Sequence, residues 1–167
     1  VLDRLDLPTP TVPGDDGATS LLADLWEETG LSSDEQSIHE EVCAVGESFV
    51  IAWPDADSNG NAGQDSPGVE AFHNDARLVH VEYDADNPRR KRFAAKWWKA
   101  NDDKVRLTLY YADRLEYYAT NGKAQTDGTA RANAFVPWGD EPVVENPFGV
   151  VPVFHFRSSV RRPRSLL

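Results

Sequence analysis

The hydrophobic pattern of the first third of the chain has the spacing of two helices. Apolar residues at positions 21, 22, 25 and 26 share one side of a helix that we expect to begin near Thr19 or Ser20 and to end at Gly30. A second helix is expected after Ser33, with apolar residues at positions 38, 42 and 45 on one side. We expect Gly46 to let the chain leave this helix directly into the apolar run 48–53, which indicates a buried strand.

Beyond residue 68 the apolar positions recur with a period of two, which is typical of strands. We expect strands at 69–72, 78–83, 93–99, 105–111 and 115–120, separated by short turn-forming stretches. Further strand-like segments occupy 135–138, 142–147 and 150–157, and Pro152 places the last at a sheet edge or a strand start. The fold class is therefore α+β, with an N-terminal helix pair followed by a mainly antiparallel β meander.

The length of 167 residues fits a single α+β domain over residues 1–167. Polar, Gly-rich stretches near 54–67 and 121–132 predict mobile loops. The chain begins at Val1 and contains no Met, so we expect a piece of a longer protein. Apolar runs stay well short of the roughly 20 residues that span a bilayer, so we expect no membrane association and a cytoplasmic location.

The charge balance narrows the range of partners. A formal net charge of -11 disfavours tight binding of nucleic acid by the domain as a whole. The basic runs 89–92 and 161–164 either touch a phosphate backbone or an acidic partner, or form a solvated turn and a frayed end. The single cysteine, Cys43, lies in a predicted apolar helical face, where it would act as a small hydrophobic residue.

The sequence carries little that indicates catalysis. Its four histidines lie on different predicted elements without metal-ligand spacing, so we expect no catalytic, cofactor-binding or metal-binding residues and no enzymatic activity. The acidic loop 55–66 partly resembles a calcium loop, with Gly60 in place. However, Ser66 stands where a bidentate Glu is needed, and a solvated loop is favoured over a weak cation site.

Adjacent aromatic residues suggest that the meander is apolar on both sides. In each of the pairs 97–98, 110–111 and 117–118, one ring points to each face of a strand. Either loops or the first helix cover the second face, or other protein does. The interface and structural candidates are Gly46, Trp53, Trp97, Trp98, Tyr110, Tyr111, Pro147, Gly149 and Pro152.

Five segments, in this order, resemble the tailed-bacteriophage portal protein family of the siphophage type. They are 38–53 (IHEEVCAVGESFVIAW), 79–84 (VHVEYD), 92–98 (RFAAKWW), 107–110 (LTLY) and 146–157 (NPFGVVPVFHFR). The succession is similar to the wing region, the outer α+β part of the portal subunit. It departs from the family pattern at Ser158 and Ser159, where the family often has Asn.

The resemblance implies a structural role. Portal subunits form a homo-oligomeric ring, usually of twelve subunits, at one capsid vertex, and double-stranded DNA passes through it without sequence-specific binding. Capsid and terminase would be the other partners, and the location would be the virion, with assembly in the bacterial host cytoplasm. Gly46 would be the hinge between helix and strand, and Pro147, Gly149 and Pro152 would shape the return strand.

Two other hypotheses stay open. One is a small acidic protein-binding or DNA-mimic module, which requires acid gathered on one compact face. The other is a carboxylate-dependent hydrolase that uses Glu82 and Glu116, both predicted on strands, which would require the two side chains to meet in a pocket.

Overall fold

The chain divides into two compact units, with boundaries after Ala76 and after Val153. The computed structural model describes residues 11–54, 69–123 and 130–158. The first unit combines the segment up to Ala76 with the segment from Phe154, and the second spans Arg77–Val153. The expectation of a single domain over 1–167 stays a prediction. The predicted loops at 54–67 and 121–132 lie mostly outside the described residues, as does the acidic loop 55–66.

The α+β fold class, with a helix pair followed by a mainly antiparallel meander, is confirmed. The expected strands are all present, with boundaries that differ by a few residues. In chain order the elements are α1 (Asp16–Glu28), α2 (Leu31–Val45), β1 (Glu47–Pro54), β2 (Val69–Asn74), β3 (Val79–Tyr83), β4 (Lys91–Lys99), β5 (Val105–Tyr110), β6 (Arg114–Thr120), a 3-10 helix (Ala132–Ala134), β7 (Phe135–Pro137), β8 (Val143–Glu145) and β9 (Val153–Arg157).

Helix α1 begins earlier than the sequence pattern predicts. Asp15 is the N-cap, because its carboxylate accepts a hydrogen bond from the Ala18 N–H at 2.9 Å. Thr19, expected as the cap, lies inside the helix, and its hydroxyl donates to the Asp15 carbonyl at 2.9 Å. Gly30 follows the helix with φ of 72°, a left-handed conformation that suits the predicted helix end.

The helices of the first unit pack on the sheet formed by β2, β1 and β9, in that order. Leu31 and Ile38 of α2 form a buried cluster with Val50 of β1 and Ala71 of β2, and the half-buried Trp26 of α1 packs against it. Burial of these side chains stabilises the unit, since each large apolar side chain contributes about 1.5–3 kcal/mol when fully buried. The second helix is therefore the one that anchors the pair.

Two residues of α2 lie differently from the sequence expectation. Cys43, expected within the apolar face, is exposed. It follows Ile38 by five positions, which at 3.6 residues per turn places it roughly 140° around the helix. Val45, expected in the inner stripe, is 44% exposed, because it lies in the last turn, where the chain leaves the sheet-packed part of the helix.

Gly46 makes the abrupt change from α2 to β1 possible. Its φ is 100°, a region that L side chains rarely adopt, and its N–H donates to the Val42 carbonyl at 3.0 Å. Its own carbonyl accepts from the Ser158 N–H at 2.9 Å, just beyond β9. The glycine therefore ends a helix and begins a strand within one residue.

The second unit is built on an antiparallel sheet in the order β3-β4-β5-β6-β7. Strand β8 pairs with β6 as well, so β7 and β8 occupy the same edge of β6 one after the other. Tyr117 joins the two: its carbonyl accepts from Trp138 N–H at 3.0 Å, and its N–H donates to the Pro142 carbonyl at 2.8 Å. Strand β9 starts directly after Pro152 and lies at the edge of the other sheet, as expected.

We predict that Gly46→Ala lowers the free energy of unfolding by about 1 kcal/mol or more, because alanine is strained at positive φ. Gly17→Ala, inside α1, is the matched control. Its added methyl would meet only the Asp15 carboxylate oxygen at 3.4 Å, and alanine favours the helix, so stability should be unchanged or higher. Chemical denaturation of both variants measures the difference, and equal effects of the two substitutions would contradict the role given to Gly46.

Candidate subunit interface on the six-stranded sheet

The two tryptophans of β4 lie on opposite faces of the six-stranded sheet. Trp97 is paired with Leu107, which in turn is paired with Tyr118. Trp98 is paired with Arg106. Because paired residues of antiparallel strands project to the same side, we call the two sides the Trp97 face and the Trp98 face.

The Trp98 face forms much of the core of the second unit. Val81, Ala94, Tyr110 and Leu115 form one row across four strands, and all four are at most 7% exposed. Burial raises the pKa of the Tyr110 hydroxyl above its usual value. The centre of this face is therefore withdrawn from water, whereas Val136 and Trp138 at its margin are 43% and 46% exposed.

Two cations lie on the Trp98 face among aromatic rings. The Lys96 ammonium is 5.7 Å from the centroid of the Trp98 ring, and the Arg106 guanidinium is 4.5 Å from that of Trp138. Desolvation lowers the pKa of Lys96. Arg106 also donates to Asp102 at 2.7 Å, while its second terminal nitrogen is buried without a hydrogen bond. The rings compensate part of the cost of burying these charges.

The Trp97 face is apolar at its centre and only partly buried. Trp97, Leu107, Leu109 and Tyr118 are all half-buried, and Val143 at the margin is 56% exposed. Aromatic and aliphatic side chains in this half-exposed state are typical of surfaces that contact other protein.

Polar and aromatic contacts hold the border of the Trp97 face in place. Arg114 donates to Glu116 at 2.6 Å and lies over the Tyr111 ring at 4.3 Å. The Tyr118 hydroxyl donates to the same Glu116 at 2.9 Å, and this hydrogen bond raises the pKa of Tyr118. The Phe93 ring is 5.7 Å from that of Tyr111. The charged border is thus ordered by its own hydrogen bonds.

The remaining candidate residues lie at junctions of the chain. Trp53 is half-buried on β1, where it is paired with Glu70. Pro147 and Gly149 belong to the turn between β8 and β9, and Gly149 has φ of 65°. Pro152 is buried immediately before β9. These positions shape the path of the backbone.

Asn146 holds this turn, although no local feature of the sequence indicates that role. Asn146 is only 4% exposed, and its side-chain amide donates to the Tyr111 carbonyl at 2.7 Å and to the Val150 carbonyl at 2.8 Å. Its side-chain oxygen accepts from the Phe148 N–H at 3.0 Å. The segment resembling the portal family begins with this residue, but its partner Tyr111 is 35 positions away, so no local pattern reveals the contact.

A polar cluster in the first unit is also not apparent from the sequence, because it joins residues that are more than 20 positions apart. His73 Nε2 lies 2.9 Å from Glu41 Oε2 and 3.0 Å from the Ser48 hydroxyl. The Ser48 hydroxyl and the Glu41 carboxylate thus both contact the same ring nitrogen of His73. In a catalytic triad the hydroxyl and the carboxylate contact different ring nitrogens, and Ser48 is also fully buried, so the cluster does not have the geometry of a triad. Glu41 also accepts from the Ala76 N–H at 2.8 Å. The cluster joins α2 to β1 and β2.

The two carboxylates suggested for hydrolysis lie on β3 and β6, with β4 and β5 between them. Three strand spacings of about 4.8 Å place their backbones roughly 14 Å apart. Carboxyl pairs that act on one glycosidic bond are about 5–9.5 Å apart. Glu82 Oε2 lies 3.3 Å from His80 Nε2, and the Glu116 carboxylate accepts hydrogen bonds from Arg114 and Tyr118. The two carboxylates therefore have separate partners and do not meet in one pocket.

The other chemical candidates are also placed separately. The four histidines each lie next to a glutamate: His39 by Glu35, His73 by Glu41, His80 by Glu82 and His155 by Glu47. Within residues 11–54, 69–123 and 130–158, no group of three His, Cys, Asp or Glu side chains is arranged to hold a metal ion.

Comparison with known proteins adds no further assignment. The sequence matches no protein-family model and has no significant match among curated proteins.

No helix in the described part of the chain has the length and apolar character needed to cross a membrane.

We predict that Glu41→Ala lowers the free energy of unfolding by about 1–3 kcal/mol, because the Ala76 N–H and His73 lose their acceptor in a half-buried position. Glu40→Ala is the control. Glu40 is exposed and accepts a hydrogen bond from Gln36 on the helix surface, so its loss should change stability by less than about 0.5 kcal/mol. Urea denaturation of the two variants compares them, and similar losses would contradict a structural role of the cluster.

A second prediction concerns the thermal stability of the protein at low pH. The hydrogen bond from Arg106 holds the pKa of Asp102 below its usual value. Since the folded pKa is depressed, this stabilisation is complete above about pH 4 and is lost as pH falls through the folded pKa. Asp102→Asn should therefore lower the melting temperature at pH 6, and the difference from the wild type should shrink towards pH 2. A constant difference over that range would contradict the ion pair's contribution.

Proposed function

We propose that the chain is a structural part of a portal-type subunit, which packs against neighbouring copies in a ring through which phage DNA passes. The Trp97 face carries the proposal, because half-buried aromatic and aliphatic side chains lie at its centre beside a charged border. Such a surface suits a subunit that is walled in by other protein. On this proposal the chain has no enzymatic activity of its own and needs no cofactor.

The segments that resemble the portal family lie at structurally demanding positions, which supports the proposal. Segment 38–53 contains the left-handed Gly46 between helix and strand. Segment 146–157 contains the buried Asn146, which organises the turn before β9. The resemblance therefore includes positions at which the fold restricts the choice of residue.

The test is the assembly state of the complete protein that carries this sequence, measured by native mass spectrometry and electron microscopy. We expect a closed ring, usually of twelve subunits in the resembled family. Leu109→Glu places a charge at the centre of the Trp97 face and should prevent the ring. His80→Lys is the control, because His80 lies in the same row but is 59% exposed at the margin, and this variant should assemble normally.

Thermal unfolding shows whether the Leu109→Glu subunit is still folded, and Leu109→Thr offers a milder change if it is not. A complete protein that remains monomeric, or rings that are indifferent to both substitutions, would contradict the proposal.

A second candidate function, an acidic binding module, has one observation in its favour. Residues 5–76 contain sixteen Asp and Glu but no Lys or Arg. Tight, salt-sensitive binding of the chain to a basic DNA-binding protein would favour this function over a role in a ring.

A further inference from the structure

The turn between β3 and β4 presents three arginines on an otherwise acidic chain. Arg89, Arg90 and Arg92 are all exposed. Lys91, between them, instead directs its ammonium to the Val153 carbonyl at 2.5 Å and is half-buried. The exposed basic surface therefore consists of three guanidinium groups, which we call the arginine turn.

The backbone of the arginine turn is ordered by its own hydrogen bonds. The Asp84 carboxylate accepts from the N–H groups of Asp86 at 2.9 Å and Asn87 at 3.3 Å, and the Asp84 N–H donates to the Arg90 carbonyl at 2.8 Å. The charges of Arg90 and Arg92 add to these hydrogen bonds in lowering the pKa of Asp84, so one carboxylate of the turn lies near the arginines. The backbone that carries the three exposed arginine side chains is thus preorganised.

The end of α1 has the opposite charge. Asp24, Glu27 and Glu28 are exposed within its last two turns, and the last turn contains no basic residue. Carboxylates near a helix C-terminus oppose the helix dipole, and like charges three or four positions apart repel each other. We call these three residues the acidic end of α1. Its local electrostatics disfavour the isolated helix, so a cationic partner would stabilise it.

Apolar surface accompanies these charges. Leu21 is 57% exposed and precedes Asp24 by three positions and Glu28 by seven, so the three side chains share one side of α1. Arginine side chains can cover apolar surface with their methylene groups while the guanidinium binds a carboxylate. The acidic end of α1 therefore matches an arginine-rich surface in both charge and polarity.

We propose that the arginine turn of one copy of this chain docks on the acidic end of α1 of a second copy. The two surfaces differ, so the contact is head-to-tail, the kind that produces a ring or a filament and not a closed two-fold dimer. The inference goes beyond the proposed function, because it follows from the charges of this chain whatever larger assembly contains it.

The contact is weak between isolated chains. Exposed ion pairs contribute about 0.2–1 kcal/mol each, and the net charge of -11 makes two copies repel at long range. At physiological ionic strength this repulsion is screened beyond about 8 Å, so the charges in direct contact decide the outcome. The same contact becomes effective where copies are held close together.

A charge-exchange experiment on the 167-residue chain tests the proposal by sedimentation velocity at 0.15 M salt, over a wide concentration range. Wild type should self-associate weakly and lose the association in 1 M salt. R89E/R90E and D24R/E28R should each raise the dissociation constant about tenfold or more. Combining the four substitutions in one chain should restore self-association, because the exchanged charges again attract. An equimolar mixture of the two double variants should also associate, through the unaltered arginine turn of one variant and the unaltered acidic end of α1 of the other.

K123E/R131E is the control, with the same change of charge at exposed positions of the same unit. It keeps the shorter Lys99–Asp103 ion pair (2.8 Å, against 3.4 Å for Lys123–Asp103), and it should behave as wild type. D24R/E28R should fold at least as well as wild type, because arginine favours both the helix and its C-terminal end. Far-UV circular dichroism verifies that both variants are folded.

A wild type that stays monomeric at every concentration would overturn the proposal, as would variants whose mixture does not associate. Duplex DNA is the alternative partner that the three arginines would bind. DNA binding that R89E/R90E abolishes, with self-association unchanged, would also overturn the proposal. These outcomes are independent of the ring test, since a ring built on the Trp97 face does not require the arginine turn.

Discussion

The antiparallel register of β4, β5 and β6 is the constraint on which the rest of the second unit depends. Once Trp97 is paired with Leu107, alternation along the strands sends every second side chain to the same face. A slip of one residue would place Lys96 and Arg106 where apolar side chains now lie. Because both faces carry aromatic residues, this sheet differs from the common antiparallel arrangement with one apolar and one polar face.

This constraint links the fold to the proposed function. The central row of the Trp98 face is buried, and the two cations of this face lie against indole rings. The Trp97 face keeps a half-exposed apolar centre. A protein that retains such a surface risks unwanted association unless a specific partner covers it. The charged border formed by Arg114 and Glu116 would then help to select the partner, since mismatched charges at an interface are costly.

Much of the fold could be predicted from the sequence, because the spacing of apolar residues reports directly on local burial. The change of period near residue 68 and the left-handed position at Gly46 are local signals of this kind. The start of α1 was placed wrongly because Asp15 and Thr19 are both good capping residues, and only the geometry distinguishes them. The candidate site was less predictable, because the rings that share a face are known only once the strand pairing is known. Contacts such as that of His73 with Glu41 join positions that are distant in the sequence, so no local pattern reveals them.

The turn before β9 has a chemical property that follows from its sequence. Asparagine side chains in proteins age by deamidation, which usually starts when the backbone nitrogen of the next residue attacks the side-chain carbonyl. Asn146 is followed by Pro147, whose ring nitrogen carries no hydrogen and cannot form the usual cyclic imide. The residue that holds Tyr111 and Val150 together is thereby shielded from a slow reaction that would replace its donor group with a negative charge.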